Sequence, residues 1–334
     1  MDPILVEVTR GPRVESRHAG AACVIDADGA VVFAAGDIDA PVYPRSAVKA
    51  LLALPLVESG AADRLGLTDA EIAFACSSHA GEPMHVAAAA SMLAKAGRDA
   101  SSLECGVHWP SNERAARALA AAGQEASALH NNCSGKHSGF ICLACDRGLD
   151  PAGYVKPEHP AMQVVTAALA DMTGAALGED NRATDGCSIP TYAIPLRALG
   201  LAFARFGAAR GLSGERAAAT RRIRAAVAAN PLLVAGTGRF DSRIMTALGS
   251  AVFSKGGAEG VYCAALPELG LGIAVKCDDG AGRAAQVATA ALVSRYLRPE
   301  GEGAVALELL VRPTLKNWNG IHIGDLRPAS PLLA

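Results

Sequence analysis

The chain has 334 residues, of which 51% are hydrophobic and 19% charged, and its formal net charge is −2. This composition excludes a mostly disordered chain, and the near-neutral charge argues against nucleic-acid binding by bulk electrostatics. No apolar run has the roughly 18 residues of a membrane span, and the N-terminus shows no signal-peptide pattern. Nine cysteines without such a signal indicate free thiols. We therefore expect a globular, cytoplasmic protein that binds neither nucleic acid nor membrane.

The N-terminal part of the chain is predicted to form strands. Residues 21–25 and 30–34 flank the sequence Asp26-Ala-Asp28-Gly29, which is typical of a hairpin turn. Pro44 then precedes a predicted helix that opens near Ser46.

Residues 56–180 read as mostly helical, with helices over 85–96 and 111–122. Polar loops that carry Gly, Ser, Asn and Cys interrupt them at 76–83 and 130–139, and such loops often display functional groups. The last third returns to strands and ends in a final helix and a proline-containing tail. Its strands are expected at 251–254, 261–265 and 271–276, its helix over 283–297.

Strands at both ends with helices between them predict an α/β fold in a single unit spanning 1–334. We expect an α/β layer built from about 1–50 and 190–334. The intervening part, about 51–189, is expected to be an inserted, mainly helical region.

The spacing Ser46-x-x-Lys49 places a hydroxyl and an amine on one face of a helix. A neutral lysine there can accept the serine proton, and backbone N–H groups of the first turn can stabilise an oxyanion. Serine enzymes of the penicillin-recognising type combine this motif with a later K-T-G box. Lys255-Gly256-Gly257, between two predicted strands, stands where such a box is expected.

Two further segments concentrate polar chemistry. In residues 76–82, Ser78 and His79 offer a second hydroxyl and a proton carrier, although Ser78 is also a plausible cap for the following helix. In residues 131–139, Cys133 and His137, joined by the distant Cys187, have ligand types suited to a metal site. The alternative is buried, inert cysteines.

Only seven of the 31 basic residues are lysines, so a lysine in such a context is a candidate for chemistry that arginine cannot perform.

Taken together, five ordered motifs resemble the Rhizobium-type L-asparaginases across nearly the whole chain. They are Pro44-Arg45-Ser46-Ala-Val-Lys49, Cys76-Ser-Ser-His-Ala-Gly-Glu82, Asn131-Asn-Cys-Ser-Gly-Lys-His-Ser-Gly139, Asp185-Gly-Cys187 and Lys255-Gly-Gly-Ala-Glu-Gly260. The resemblance implies a fold like that of serine β-lactamases and penicillin-binding proteins, with a mainly antiparallel sheet. It also implies a homodimer that hydrolyses L-asparagine to L-aspartate and ammonia.

The resemblance further implies two Ser–Lys pairs, Ser46 with Lys49 and Ser78 with Lys255. It implies one zinc ion per subunit, held by Cys133, Lys136 and Cys187. The zinc is expected to position the substrate without being strictly required for the chemistry.

For the substrate we expect an arginine on the α-carboxylate, where Arg45 suits, and an acid on the α-ammonium, where Asp185 or Glu82 suits. The complete set of candidate substrate-binding residues is Arg45, His79, Glu82, Asn132, His137 and Asp185. A serine glutaminase, a β-lactamase-like enzyme and a non-catalytic amino-acid sensor on the same fold remain as alternatives.

Overall fold

The computed structural model describes residues 1–333, in which one eight-stranded sheet dominates the strand content. The strands are β1 (Ile4–Arg10), β2 (Arg13–Asp26), β3 (Val31–Ala35), β4 (Pro41–Val42), β5 (Arg182–Thr184), β6 (Pro190–Tyr192), β7 (Ile194–Pro195), β8 (Phe253–Gly256), β9 (Val261–Leu266), β10 (Leu271–Cys277), β11 (Thr314–Lys316) and β12 (His322–Pro328).

The large sheet has the order β11-β12-β1-β2-β10-β9-β8, with β3 added to β2, and every pairing in it is antiparallel. The last strand in the sequence, β12, pairs with the first, β1, with Val6 opposite Pro328. The predicted α/β class with a mainly antiparallel sheet is therefore confirmed.

Fifteen α-helices occur in residues 1–333, several of them single turns. They are α1 (Lys49–Leu52), α2 (Leu54–Glu58), α3 (Ala61–Arg64), α4 (Asp69–Ala75), α5 (Pro83–Lys95), α6 (Glu113–Ala121), α7 (Ser134–Asp146), α8 (Pro160–Thr173), α9 (Leu196–Ala208), α10 (Gly214–Ala229), α11 (Pro231–Val234), α12 (Phe240–Leu248), α13 (Gly282–Leu297), α14 (Gly301–Val311) and α15 (Ser330–Leu333). No helix in this part of the chain is long and apolar enough to cross a membrane.

Helices α9 and α13 cover the centre of the sheet, and both pack on β9 and β10. All six residues of β9 are buried. Helix α9 approaches very closely, since a Cβ on Gly272 would lie 2.0 Å from the Gly200 carbonyl oxygen. A glycine at 272 is thus what permits this contact.

One edge of the sheet meets the segment that carries the first serine. Residues Arg45–Val48 form a 3₁₀ turn that leads into α1, and this turn packs against β8 and β9. Gly257, just after β8, lies so close that a Cβ there would come within 2.5 Å of the Pro44 carbonyl oxygen. Lys255 and Ser46 are therefore brought together at this edge although 209 positions separate them.

Two sequence predictions about local structure are wrong. Residues 134–139, expected in a loop, are the first turns of the buried helix α7, and Gly135 allows that helix to pack against the Phe74 carbonyl. The expected C-terminal tail instead forms helix α14 and the β11–β12 hairpin. Strand β12 is held because it pairs with β1, a contact that local sequence does not reveal.

Candidate active site

A cavity of about 290 Å³ lies where the 3₁₀ turn, the β8 edge and the start of α12 meet. Its volume is close to the lower end of small-molecule sites, roughly 300–1,000 Å³, so it suits a ligand of amino-acid size. The lining residues are Ser46, Ser78, Asn132, Ala235, Arg239, Phe240, Asp241, Lys255, Gly256, Gly257, Ala258, Tyr262, Gly282 and Gln286. Four of the predicted site residues, Ser46, Ser78, Asn132 and Lys255, thus share one cavity.

The first serine stands in a strained turn. Arg45, immediately before it, has φ of +52°, which is uncommon for a residue with a side chain. Ser46 is half-buried, and its backbone N–H has no hydrogen-bond acceptor within residues 1–333. The same holds for the N–H of Ala258, across the cavity lining. Because both residues line the cavity, these two N–H groups are candidate donors for an oxyanion.

Lys49 is buried, with 1% of its surface exposed, and does not line the cavity. Its Nζ donates to the Ser77 carbonyl at 2.5 Å, to the Cys133 sulfur at 3.2 Å and to the Asn132 carbonyl at 3.4 Å. In the described part of the chain no hydrogen bond joins it to the Ser46 hydroxyl. Burial lowers the pKa of Lys49, against the opposing attraction of Cys133.

The second serine and lysine both face the cavity. The Ser78 hydroxyl oxygen is buried and has no hydrogen-bond partner among residues 1–333. Lys255, 1% exposed on strand β8, donates to the Gly256 carbonyl at 2.7 Å and lies 3.8 Å from Asp241 Oδ2. Neither group is saturated, so both remain available to a ligand.

Burial lowers the pKa of Lys255 to about 8, although the neighbouring Asp241 carboxylate raises it. The positive charges of Lys49 and Arg239 lower it further. A substantial fraction of this amine is therefore neutral near physiological pH, as a general base requires.

Sequence reasoning missed the charged residues that α12 brings to the cavity, Arg239 and Asp241. Asp241 accepts hydrogen bonds from the Ser254 hydroxyl at 3.0 Å and from the Gly256 N–H at 3.1 Å. The signal was a polar, glycine-containing stretch, Gly236-Thr-Gly238-Arg239, before an apolar helix. Such a stretch is also typical of an ordinary helix start, so the pattern alone does not indicate a site.

The thiols of Cys133 and Cys187 and the amine of Lys136 form a buried cluster behind this cavity. Lys136 Nζ donates to the Cys187 sulfur at 2.9 Å. A hydrogen bond from Cys187 and the charges of Lys49 and Lys136 hold the pKa of Cys133 well below its usual value, while that of Cys187 is raised. Burial would lower the pKa of Lys136, but the adjacent sulfurs raise it.

The alternative metal set of Cys133, His137 and Cys187 is not assembled. His137 Nδ1 instead lies 2.6 Å from the Tyr154 hydroxyl. Over residues 1–333, no three His, Cys, Asp or Glu side chains are grouped closely enough to hold a metal ion. Two sulfurs and one nitrogen, from Cys133, Cys187 and Lys136, do converge, and these donor types suit zinc.

Arg45 and Asp185 bind each other, with Arg45 Nε 2.5 Å from Asp185 Oδ1, and neither lines the cavity. Burial would raise the pKa of Asp185, but the charges of Lys136 and Arg45 keep it below its usual value. The pair links the turn before Ser46 to the loop that carries Cys187.

His79 and Glu82 also lie outside the cavity lining. His79 Nδ1 accepts from the Gly81 N–H at 3.1 Å, so Nε2 carries the proton and donates to the Ser134 hydroxyl at 2.8 Å. Burial holds the pKa of His79 well below its usual value, which keeps the ring neutral. Glu82 accepts two hydrogen bonds from Thr237.

Comparison with protein families decides what kind of protein this is. The family model described as L-asparaginase II matches residues 6–328. The chain belongs to the L-asparaginase II family. A comparison with curated proteins gives no match.

Among solved structures, this L-asparaginase II family member is similar to a crystal structure named "putative beta-lactamase" from Bacteroides dorei DSM 17855. The identity is 16%, the match covers 78% of this chain and 87% of that one, and the TM-score is 0.38.

Membership of the L-asparaginase II family supports an asparaginase-type amidohydrolase. Amide hydrolysis needs a nucleophile, a base and donors for the oxyanion. One cavity in this chain contains hydroxyls, a lysine with a lowered pKa and unpaired N–H groups, so all three requirements have candidates.

Proposed function

We propose that the protein hydrolyses the side-chain amide of L-asparagine to L-aspartate and ammonia by serine-dependent acyl transfer. The proposal is supported above all by one observation: Ser46, Ser78 and Lys255 line the same cavity of about 290 Å³. Family membership supports the amide as the bond that is cleaved.

Ser46 is the proposed nucleophile. It stands in the first helical turn with its own N–H unpaired, and the N–H of Ala258 is a second donor for the oxyanion. Its oxygen forms a bond to the amide carbon while its proton passes to a base.

Lys255 fits the role of that base better than Lys49. Lys255 lines the cavity and has a pKa of about 8, whereas all three N–H bonds of a Lys49 ammonium already have acceptors. The Ser78 hydroxyl, free of other partners, relays the proton from Ser46 to Lys255. We assign Lys49 to holding the 77 and 132 carbonyls in place.

The two half-reactions then balance. The C–N bond breaks as the Lys255 ammonium returns its proton to the leaving nitrogen, and ammonia departs from an aspartyl ester on Ser46. Water attacks this ester and the neutral Lys255 takes its proton. Lys255 then returns that proton to the Ser46 oxygen as the C–O bond breaks, which releases aspartate and restores the serine.

We also propose that Cys133, Lys136 and Cys187 hold a zinc ion. When bound, the ion supplies a fixed positive charge, and its coordination ties the start of α7 to the loop around Cys187. The metal would replace the proton on Lys136 because only an unprotonated amine can bind it.

The decisive experiment measures ammonia release from L-asparagine and L-glutamine by the intact protein and by Ser46→Ala. We expect wild-type turnover of asparagine and a loss of kcat of at least about 10⁴-fold in the variant. Ser138→Ala is the matched control, since this buried hydroxyl also lacks a partner but does not line the cavity.

Thermal unfolding of each variant reports whether it folds. Near-normal kcat in a folded Ser46→Ala protein would contradict the mechanism. Faster turnover of glutamine would replace the proposed substrate, and saturable asparagine binding without ammonia release would indicate a sensor.

A further inference from the structure

Arg239 is a cation without a partner at the proposed active site. It lines the cavity at the start of helix α12, and its side chain is exposed. Across residues 1–333 its guanidinium makes neither an ion pair nor a hydrogen bond. An arginine presents five donors in a planar fork, so its full binding capacity is open to a ligand.

The other charges in the cavity leave Arg239 uncompensated. Asp241 accepts hydrogen bonds from Ser254 and from the Gly256 N–H, interacts with the Tyr262 hydroxyl, and lies 3.8 Å from the Lys255 amine. Tyr262 is buried, which raises the pKa of its hydroxyl well above the usual value, so it carries no charge. An incoming anion therefore meets in Arg239 a positive group without a carboxylate partner in residues 1–333, whereas Lys255 lies beside Asp241.

The backbone that presents Arg239 is fixed. Gly236 and Gly238 have φ of +113° and +73°, left-handed conformations that glycine adopts without a steric penalty. Thr237 between them is held by Glu82 through its N–H and its hydroxyl. A Cβ on Gly236 would lie 2.6 Å from Glu82 Oε1, so the segment and the carboxylate fit closely.

The other arginine considered for substrate recognition already has a partner. Arg45 is bound to Asp185 at 2.5 Å and does not line the cavity. Asp185 already occupies the Nε of Arg45 and neutralises its charge, whereas a carboxylate ligand would displace only solvent from Arg239.

We infer that Arg239 binds the α-carboxylate of the substrate and thereby restricts the enzyme to free amino acids. The inference rests on the proposed function and names the feature of the substrate that is recognised. Two parallel N–H···O bonds would hold the carboxylate, the geometry that arginine forms preferentially. Because Ser46 and Ser78 line the same small cavity, a ligand anchored at Arg239 stays beside the hydroxyls.

The test compares L-asparagine with its α-methyl ester, from which ammonia is released only by hydrolysis of the side-chain amide. We expect the wild-type protein to prefer asparagine by about 100-fold in kcat/KM, the size expected for charge-assisted hydrogen bonds. Arg239→Gln should lose about 100-fold on asparagine, mostly through KM, and little on the ester. Its preference should therefore nearly vanish, with Arg239→Lys in between.

Arg243→Gln is the matched control, because Arg243 is an exposed arginine one turn further along α12 that does not line the cavity. It should keep the full wild-type preference. Retention of that preference by Arg239→Gln would overturn the inference.

A binding measurement separates this inference from the proposed function. Calorimetric titration of L-asparagine into Ser46→Ala and into Ser46→Ala/Arg239→Gln should show about 100-fold weaker binding to the double variant. If the wild-type protein released no ammonia, the proposed function would fail, but the two titrations would still test whether Arg239 binds the carboxylate. Equal binding by the two proteins, or binding to neither, would refute the role of Arg239.

Discussion

The carboxylate of Glu82 holds Thr237 through two hydrogen bonds, from the backbone N–H to Oε1 and from the hydroxyl to Oε2, each 2.7 Å long. These residues lie 155 positions apart, and Thr237 precedes Arg239 by two. The contact therefore fixes the segment that brings Arg239 to the cavity. In this structure Glu82 positions another residue and does not face the substrate site.

We predict that Glu82→Gln raises KM for asparagine about 10-fold with a smaller effect on kcat. The glutamine amide keeps one acceptor oxygen, so one of the two charge-assisted bonds to Thr237 is lost, and about 1.4 kcal/mol corresponds to a factor of ten. Steady-state ammonia release checks this. Glu113→Gln, the same change at the exposed start of helix α6, should leave KM unchanged. An unchanged KM in Glu82→Gln would show that the contact does not position the site.

The rate should depend on pH through Lys255. Because only the neutral amine can accept a proton, kcat/KM should rise with pH and level off above about 8. The Asp241 charge raises this pKa, so Asp241→Asn should move the rising limb to lower pH. The titration of the substrate itself is common to both proteins and cancels in the comparison.

Glu259→Gln serves as the control for that shift, since it removes an exposed carboxylate outside the cavity lining. Glu259→Gln should leave the pH profile of kcat/KM unchanged. If the rising part of the profile also stayed in place in Asp241→Asn, a group other than Lys255 would be titrating.

The stability of the protein should also depend on pH through Lys255. Lys255 has a pKa of about 8 in the folded protein and 10.5 as its ordinary value, so the folded state binds fewer protons between these pH values. The free energy of unfolding should therefore rise between about pH 8 and pH 10.5, by about 3 kcal/mol in total. This gain is fully present above pH 10.5 and is lost as the pH falls to about 8. Lys255→Met removes this dependence.

Urea unfolding at pH 7.5 and 9.5, with a chelator present, measures the difference between Lys255→Met and the wild type. The stability of Lys255→Met relative to the wild type should be greater at pH 7.5 than at pH 9.5. Lys276→Met, which removes a half-buried lysine on β10, is the control. A difference that is the same at both pH values would contradict a buried amine with a lowered pKa.

The proposed zinc site predicts one tightly bound zinc per chain, lost in Cys133→Ala. Removing one thiolate from a set of two sulfurs and one amine should weaken binding strongly, and KM should rise more than kcat falls. Metal content by mass spectrometry and the zinc dependence of the melting temperature report this apart from activity. Cys145→Ala, on the same helix α7 and half-buried, should retain the metal. Equal zinc content in both variants would reject the site.

The sequence by itself determined the β2–β3 hairpin and several of the cavity residues, because both rest on local patterns. Alternating apolar residues and a turn sequence specify a hairpin such as β2–β3, and Ser46, Ser78 and Lys255 stand in short motifs that are visible without a structure. Spacing alone favoured His137 beside the thiols and the family resemblance implied Lys136, and it is Lys136 that contacts Cys187.

Only the tertiary structure decided which groups are in contact. In it the Lys49 amine donates to carbonyls and to Cys133, and Arg45 pairs with Asp185. Glu82 binds Thr237, and Arg239 and Asp241 line the cavity. The physical reason is distance along the chain. A hydrogen bond or ion pair between residues 28 to 155 positions apart depends on how helices and strands pack, and no local period or motif encodes that packing.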